Sequence, residues 1–386
     1  PGGVCAMTAI VPILFGAVVT VILMLACGRL LLRALKLRLY RQEENVLAMA
    51  AGAGCLSLLV FLLTAAGLAN LTAFLALGVL IIAAAGSRGA HRGVGNPLPA
   101  AGGVWRFLFW TLFAAFTYVY FFCALAPETS PDGSQYHLGL VNRYFATHGF
   151  REGAGSMYAS LSQGLEMLFL YAFAFGRHSA AALVHFAFLV TLPFAMLCYA
   201  RRFGFARAGA AAALLVYLCP IVGWDGSVAY NDVATAFVLF ALFHAVQLWR
   251  QEDQTSLLVL IGLLAGFAYA VKYTAYAAMP YAAGMVAWKA WRDGKGTREL
   301  FRSVGIVAAC AFLMAAPWAV KNWIMTGNPF APFLNAWFPN PHYHVGLEQA
   351  YRAQFASWGE IKNVLEVPLE LTVRGAKLQG VFGPVF

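Results

Sequence analysis

Stretches of about 17–25 residues with almost no charge recur along the chain, each closed by a polar turn or a basic cluster. Runs of that length are too long for strands. They fit apolar helices, because a hydrocarbon layer of ~30 Å takes roughly 20 residues of α-helix to cross. The pattern predicts spans at about 10–28, 46–66, 70–86, 107–126, 179–200, 208–224, 233–249, 255–271, 273–288 and 303–320. Backbone polar groups in lipid must be satisfied within the segment, so each span is expected to be helical. Pro193, Pro280 and Pro317 are expected to kink their helices. The fold class that follows is all-α, a polytopic transmembrane helical bundle of about ten spans. Residues 161–176 are apolar but short, with Glu166 in their middle, and read as a partly inserted helix against the outer face.

Composition agrees with this pattern. The 386 residues are 61% hydrophobic and 11% charged, against about 45–50% and about 25% in soluble domains, which excludes a soluble globular protein. The Gly/Pro-rich stretch from Ser87 to Val104 reads as a linker. It separates three leading spans (1–104) from a core (105–335), which is followed by an external segment (336–386). A start at Pro1 and an end inside the apolar run Val381 to Phe386 suit a piece of a longer protein, the external segment leading toward a further span. The first basic residue, Arg29, follows the first apolar run, which is not the form of a signal peptide. Seven cysteines without metal-ligand spacing read as small core residues.

The net charge of +10 would raise the question of nucleic acid in a soluble chain. With 161–176 not spanning, 17 of the 26 basic residues and six of the 16 acidic ones share one side, a net +11. The other side carries a net −1. The excess is therefore a topology signal that marks the basic side as cytoplasmic, and no nucleic-acid partner is expected.

No GxGxxG, Walker, HExxH or GxSxG motif is present. Polar groups crowd instead at the expected outer helix ends. The first large external loop opens with Pro127-Glu128-Thr129-Ser130-Pro131-Asp132-Gly133, a stiff turn. His137, Leu140, Val141, Tyr144, Phe145 and His148 follow at helical spacing, as in an amphipathic helix on the membrane surface. Asp132 stands before that helix, where the plain structural alternative is an N-cap. Asp225 and Asp232 flank a second external turn. Their structural alternatives are an Asx turn for Asp225 and a helix cap for Asp232. Lys272 lies between two apolar stretches with hardly a loop, so it must snorkel or meet an anion. His342 and His344 form a lone HxH pair, more in keeping with surface histidines than with a metal site.

At these residues the chain resembles the GT-C class of integral-membrane glycosyltransferases, which contains the protein O-mannosyltransferases and the lipid A aminoarabinose transferases. The resemblance covers roughly residues 105 to 335. It rests on Pro131-Asp132-Gly133-x-x-Tyr136-His137, on Tyr158 to Gly176, and on Arg201-Arg202-Phe203-Gly204. It continues through Tyr230-Asn231-Asp232, Gly262-x-x-x-Gly266 with Lys272-Tyr273-Thr274, and Gly327-Asn328-Pro329-x-x-Pro332. The resemblance implies an inverting transfer of a sugar from a polyprenyl-phosphate donor to an acceptor hydroxyl on the non-cytoplasmic face, in a bacterial inner membrane. It makes Asp132 the general base, assisted by Asp232, which would orient the acceptor or hold a divalent metal. Lys272 would hold the donor phosphate, with Arg143 and Lys321 behind it. Tyr136, His137, Glu128 and Asp225 would complete the substrate site. Where many relatives carry two adjacent carboxylates this chain has Asp132-Gly133, so a second must come from Glu128, Asp225 or Asp232. Two other functions are compatible with the pattern: a transporter or flippase of lipid-linked sugars, and a non-catalytic subunit of a membrane complex.

Overall fold

The computed structural model describes residues 2–87, 98, 102–150, 156–357, 361, 363–375 and 377, with side chains from Ile10 onward, those of 355–357 excepted. Most of the expected linker, with Arg88 and Arg92, and the run 381–386 lie outside the described residues. The described residues are helical, without a strand.

The helices run in chain order α1 (Gly2–Ala34), α2 (Arg41–Ala65), α3 (Leu71–Ser87), α4 (Gly103–Leu125), α5 (Leu138–Ala146), α6 (Met157–Ser160) and α7 (Gly164–Arg202). They continue as α8 (Ala206–Leu218), α9 (Pro220–Asp225), α10 (Asp232–Glu252), α11 (Thr255–Val271), α12 (Ala278–Arg292), α13 (Thr297–Thr326) and α14 (Val345–Ser357). Six helices are long and apolar enough to cross a membrane: Ile10–Ala34 of α1, with α2, α4, α7, α10 and α13. Helices α3, α8 and α11 are apolar but shorter. The protein is thus a helical membrane protein, with six candidate spans among the described residues where about ten are expected.

Two of the differences have local causes. The expected span 208–224 is broken at Cys219, whose extended backbone is followed by Pro220 at the first position of α9. Proline there has no amide to lose and its fixed φ suits a helix start, so the chain turns instead of running on. The segment 161–176 is buried in the bundle; from Gly164 it forms the first part of α7, and the helix is interrupted at Arg177 (φ 61°, ψ −150°). Pro193 and Pro317 lie within α7 and α13, and neither proline interrupts the helix.

One large core joins α1, α2, α7, α10 and α11. Packing along α11 and α13 depends on Gly262 and Gly266, where a Cβ would stand 2.5 Å from the Val307 carbonyl oxygen and 2.2 Å from that of Ala311. Such small residues let membrane helices approach backbone to backbone. The helix expected to lie on the membrane, α5, instead buries Leu138, Leu140, Val141 and Tyr144 in the protein, with Phe145 edge-on to Phe173 of α7. Cys27, Cys198 and Cys219 are buried as expected of core residues, Cys55 and Cys310 are partly buried, and Cys123 is exposed.

The two ends of the bundle differ. At one end, the basic end, Arg202 pairs with Glu252 (2.6 Å) and approaches Glu43 (3.6 Å), while Lys289 and Lys295 both bind Asp253. The other, the site end, gathers the polar residues singled out by the sequence.

Candidate functional site

Asp132 lies in the first turn of a helix that begins at Pro131. Its backbone is helical (φ −68°, ψ −41°) and its side chain caps nothing, so the N-cap alternative does not hold. The next turn, Gly133–His137, is a π-helix, an arrangement frequent at functional sites. It places Asp132 Oδ2 3.4 Å from the Tyr136 hydroxyl and turns His137 into the protein. Burial first, then the Asp132 and Glu166 carboxylates, raise the Tyr136 hydroxyl well above the ordinary phenol range, so it remains a proton donor toward Asp132.

His137 meets a residue that the sequence reading did not count as part of a site. Its Nδ1 shares a 2.5 Å hydrogen bond with Oε1 of Glu166, and both side chains are about 4% exposed. The other carboxylate oxygen, Glu166 Oε2, is buried without a partner. The amide of Asn231 reaches Glu166 Oε1 at 3.5 Å and the Val271 carbonyl at 3.3 Å, tying α7, α10 and α11 together at one point. The signal for Glu166 was an acid in an otherwise apolar run.

These groups line one cavity of about 410 Å³, within the usual range for small-molecule pockets. Asp132, Tyr136 and His137 form one side, Tyr158, Gln163 and Glu166 another, and Asn231, Lys272, Tyr273 and Tyr351 complete it. Tyr136 stacks on Tyr158 with ring centroids 4.2 Å apart. Lys272, at the extended break between α11 and the 3-10 turn Tyr273–Ala277, binds Asp232 Oδ1 at 2.5 Å. Asp232 is mostly exposed and reaches the cavity through Lys272.

The remaining expected site residues have other work. Glu128 does not line this cavity. Its Oε1 accepts from the Ser130 amide and hydroxyl, and its Oε2 from the Ala229 amide (2.6 Å), which staples the two polar turns together. A Cβ on Gly133 would lie 2.5 Å from Ser130 Oγ and 2.7 Å from Glu128 Cδ, so the space beside Asp132 is already filled by Glu128. Asp225, not Asp232, caps α10 by accepting from the Val233 amide at 2.9 Å. Burial, then the charge of Asp232, pushes the Asp225 carboxyl up to about 7. Lys321 does not line the cavity. It is buried, donates to the Ala159 carbonyl at 2.5 Å, and lies over the rings of Trp318 and Phe150. With Asn322, which binds the Ser160 carbonyl, it holds the short α6 that carries Tyr158. Arg143 is exposed on α5, away from the cavity.

The region after α13 packs over the same site. Tyr343 binds Ser160 and the Ser156 carbonyl, and Tyr351 of α14 closes the cavity beside Tyr273. His342 and His344 are exposed. Among the described residues no group of three or more His, Cys, Asp or Glu side chains is placed to hold a metal ion.

The chain belongs to the family described as "Domain of unknown function (DUF8201)". That family's model matches residues 10–359, a range that contains every residue lining the cavity. No curated protein and no solved structure matches the chain.

Proposed function

We propose that this protein is a membrane glycosyltransferase that moves a sugar from a polyprenyl-phosphate donor to an acceptor hydroxyl. In this reading it sits in a bacterial inner membrane with the cavity on the non-cytoplasmic side, since the opposite end holds the basic excess. The shorter helices α3, α8, α11 and α12 complete about ten membrane-inserted segments.

The observation that carries the proposal is the cavity joining an exposed carboxylate, Asp132, to a lysine, Lys272, among tyrosine rings. In the transfer, Asp132 accepts the proton of the acceptor hydroxyl as that oxygen attacks the anomeric carbon. The bond from that carbon to the donor phosphate breaks, and the phosphate leaves with the electron pair. Lys272 exchanges Asp232 for this phosphate and stabilises its charge. Tyr136, Tyr158, Tyr273 and Tyr351 pack against the sugar ring and the lipid chain. Each step uses only this chain's own side chains.

The deciding experiment is mass spectrometry of lipid-linked sugars and surface glycans from cells with the gene intact, deleted or carrying Asp132→Asn. Deletion and Asp132→Asn should both cause a lipid-linked sugar to accumulate and a glycan to lose that sugar. Unchanged pools on deletion would overturn the reading. Normal transfer by Asp132→Asn alone would remove Asp132 from the mechanism.

A further inference from the structure

At the basic end, α1 and α4 part from one another. Near the site end they touch through Ala17 and Ala124, which cluster with Leu183 of α7. Toward the basic end a cavity of about 610 Å³ opens between α1 and α2 on one side and α4, α7 and α8 on the other. Its walls are apolar: Leu25, Met49, Phe109, Phe194 and Leu197. Its rim is cationic and polar, with Arg29, Arg106 and Arg201 beside Gln42 and Asn45, and no acidic side chain among the residues that line it.

The dimensions and the charge point to one kind of occupant. From the rim at Arg201 to the floor at Thr191 is ten residues of α7, about 15 Å of helix. That is half of a hydrocarbon core of ~30 Å, the depth of one lipid leaflet. Arg29 is aligned by Asn45 (2.9 Å), and Arg201 by Gln42 (2.6 Å) and the Leu98 carbonyl, so two of the three guanidinium groups are fixed at the rim. Arg106 is exposed on α4, the least buried of the six long helices. Trp105, next to Arg106, lines the same cavity, and Trp110 packs against Phe194 in its wall. A second cavity of about 390 Å³ lies against α1, shares Leu25 and Arg29, and adds Arg33, whose Nε is buried without a partner.

We infer that this end of the bundle is a binding site for an anionic phospholipid. The phosphate sits among Arg29, Arg106 and Arg201, one acyl chain fills the larger cavity, and the second lies in the smaller one toward Arg33. Basic pockets between membrane helices recognise anionic headgroups in this way. The site is separate from the Asp132 cavity and does not depend on its chemistry.

The test is native mass spectrometry of the full chain released from vesicles containing equal amounts of phosphatidylglycerol and phosphatidylcholine. The wild-type protein should retain one phosphatidylglycerol in clear preference. Arg106→Gln, at an exposed position, should lower that preference about fivefold, the effect of one basic group near an anionic surface. Thr191→Trp, which fills the floor without changing charge, should also expel the lipid. Arg298→Gln, an exposed basic residue that does not line the cavity, should leave retention unchanged. Equal retention of the two lipids, or an unchanged preference in Arg106→Gln, would overturn the inference. So would displacement of the bound lipid by glycerol phosphate at equal concentration, since the chains would then contribute nothing.

Discussion

The two ends of this bundle use charge in opposite ways. At the basic end, cations and carboxylates neutralise each other across helix ends, as in Arg202 with Glu252 or Lys289 and Lys295 with Asp253. At the site end, two carboxylates are spent on backbone amides: Glu128 holds Ala229 and Asp225 holds Val233. That leaves Asp132 and Lys272 lining a cavity, with Asp232 bound to Lys272 and one oxygen of Glu166 buried without a partner. Where cations and carboxylates pair at the basic end they fix helices, outside the arginine-rimmed cavity, whereas at the site end the framework is held by amides and carboxylates are left unpaired with cations.

The sharpest way to break this contrast is Asp132→Asn. It removes a proton acceptor that caps nothing, so sugar transfer should fall by at least about 100-fold while membrane insertion and melting temperature stay near wild type. Glu128→Ala should do the reverse. It leaves the Ala229 and Ser130 amides without their acceptor, costing about 1–3 kcal/mol in a thermal melt, with transfer by the folded fraction retained.

Asp225 provides a test by pH. A carboxyl held near 7 when folded, against ~3.9 unfolded, binds more protons in the folded state between those values. Its contribution to stability is therefore fully present below about pH 4 and is lost as pH rises through 7. Melting temperature should fall over that window, and Asp225→Asn should flatten the fall. The smallest effect belongs to the basic end. Lys295→Ala breaks a largely solvated pair with Asp253 and should change stability by less than about 1 kcal/mol, with transfer unaltered.

What was legible in the sequence depended on range. Asp132, Tyr136 and His137 are neighbours on one helical segment, and Lys272 stood out as a charge between apolar runs, so local pattern was enough to bring them forward. Glu166 is harder to see because its partner, His137, is 29 residues away and the acid reads only as the charge that keeps a short apolar run from spanning. The place of Lys321 is hidden for the related reason that its acceptor, the Ala159 carbonyl, is 162 residues distant. Spacing predicts which face a residue occupies; it does not say whether a distant carbonyl already satisfies it. The break at Pro220 was legible in principle, since proline at a helix start is a local rule, but hydropathy averaged over a long window conceals it.

The π-turn at Gly133–His137 gives the site an angular setting as well as a polar one. Its one extra residue per turn works as a phase shift between the segment bearing Asp132 and the helix anchored by Leu138, Leu140 and Val141. Each residue of an α-helix turns about 100°, so an ordinary helical turn there would rotate Asp132 by roughly that angle relative to His137. Function in this loop is thus set by residue count as well as by residue identity, and a one-residue deletion between Asp132 and His137 would change the site more than most substitutions there.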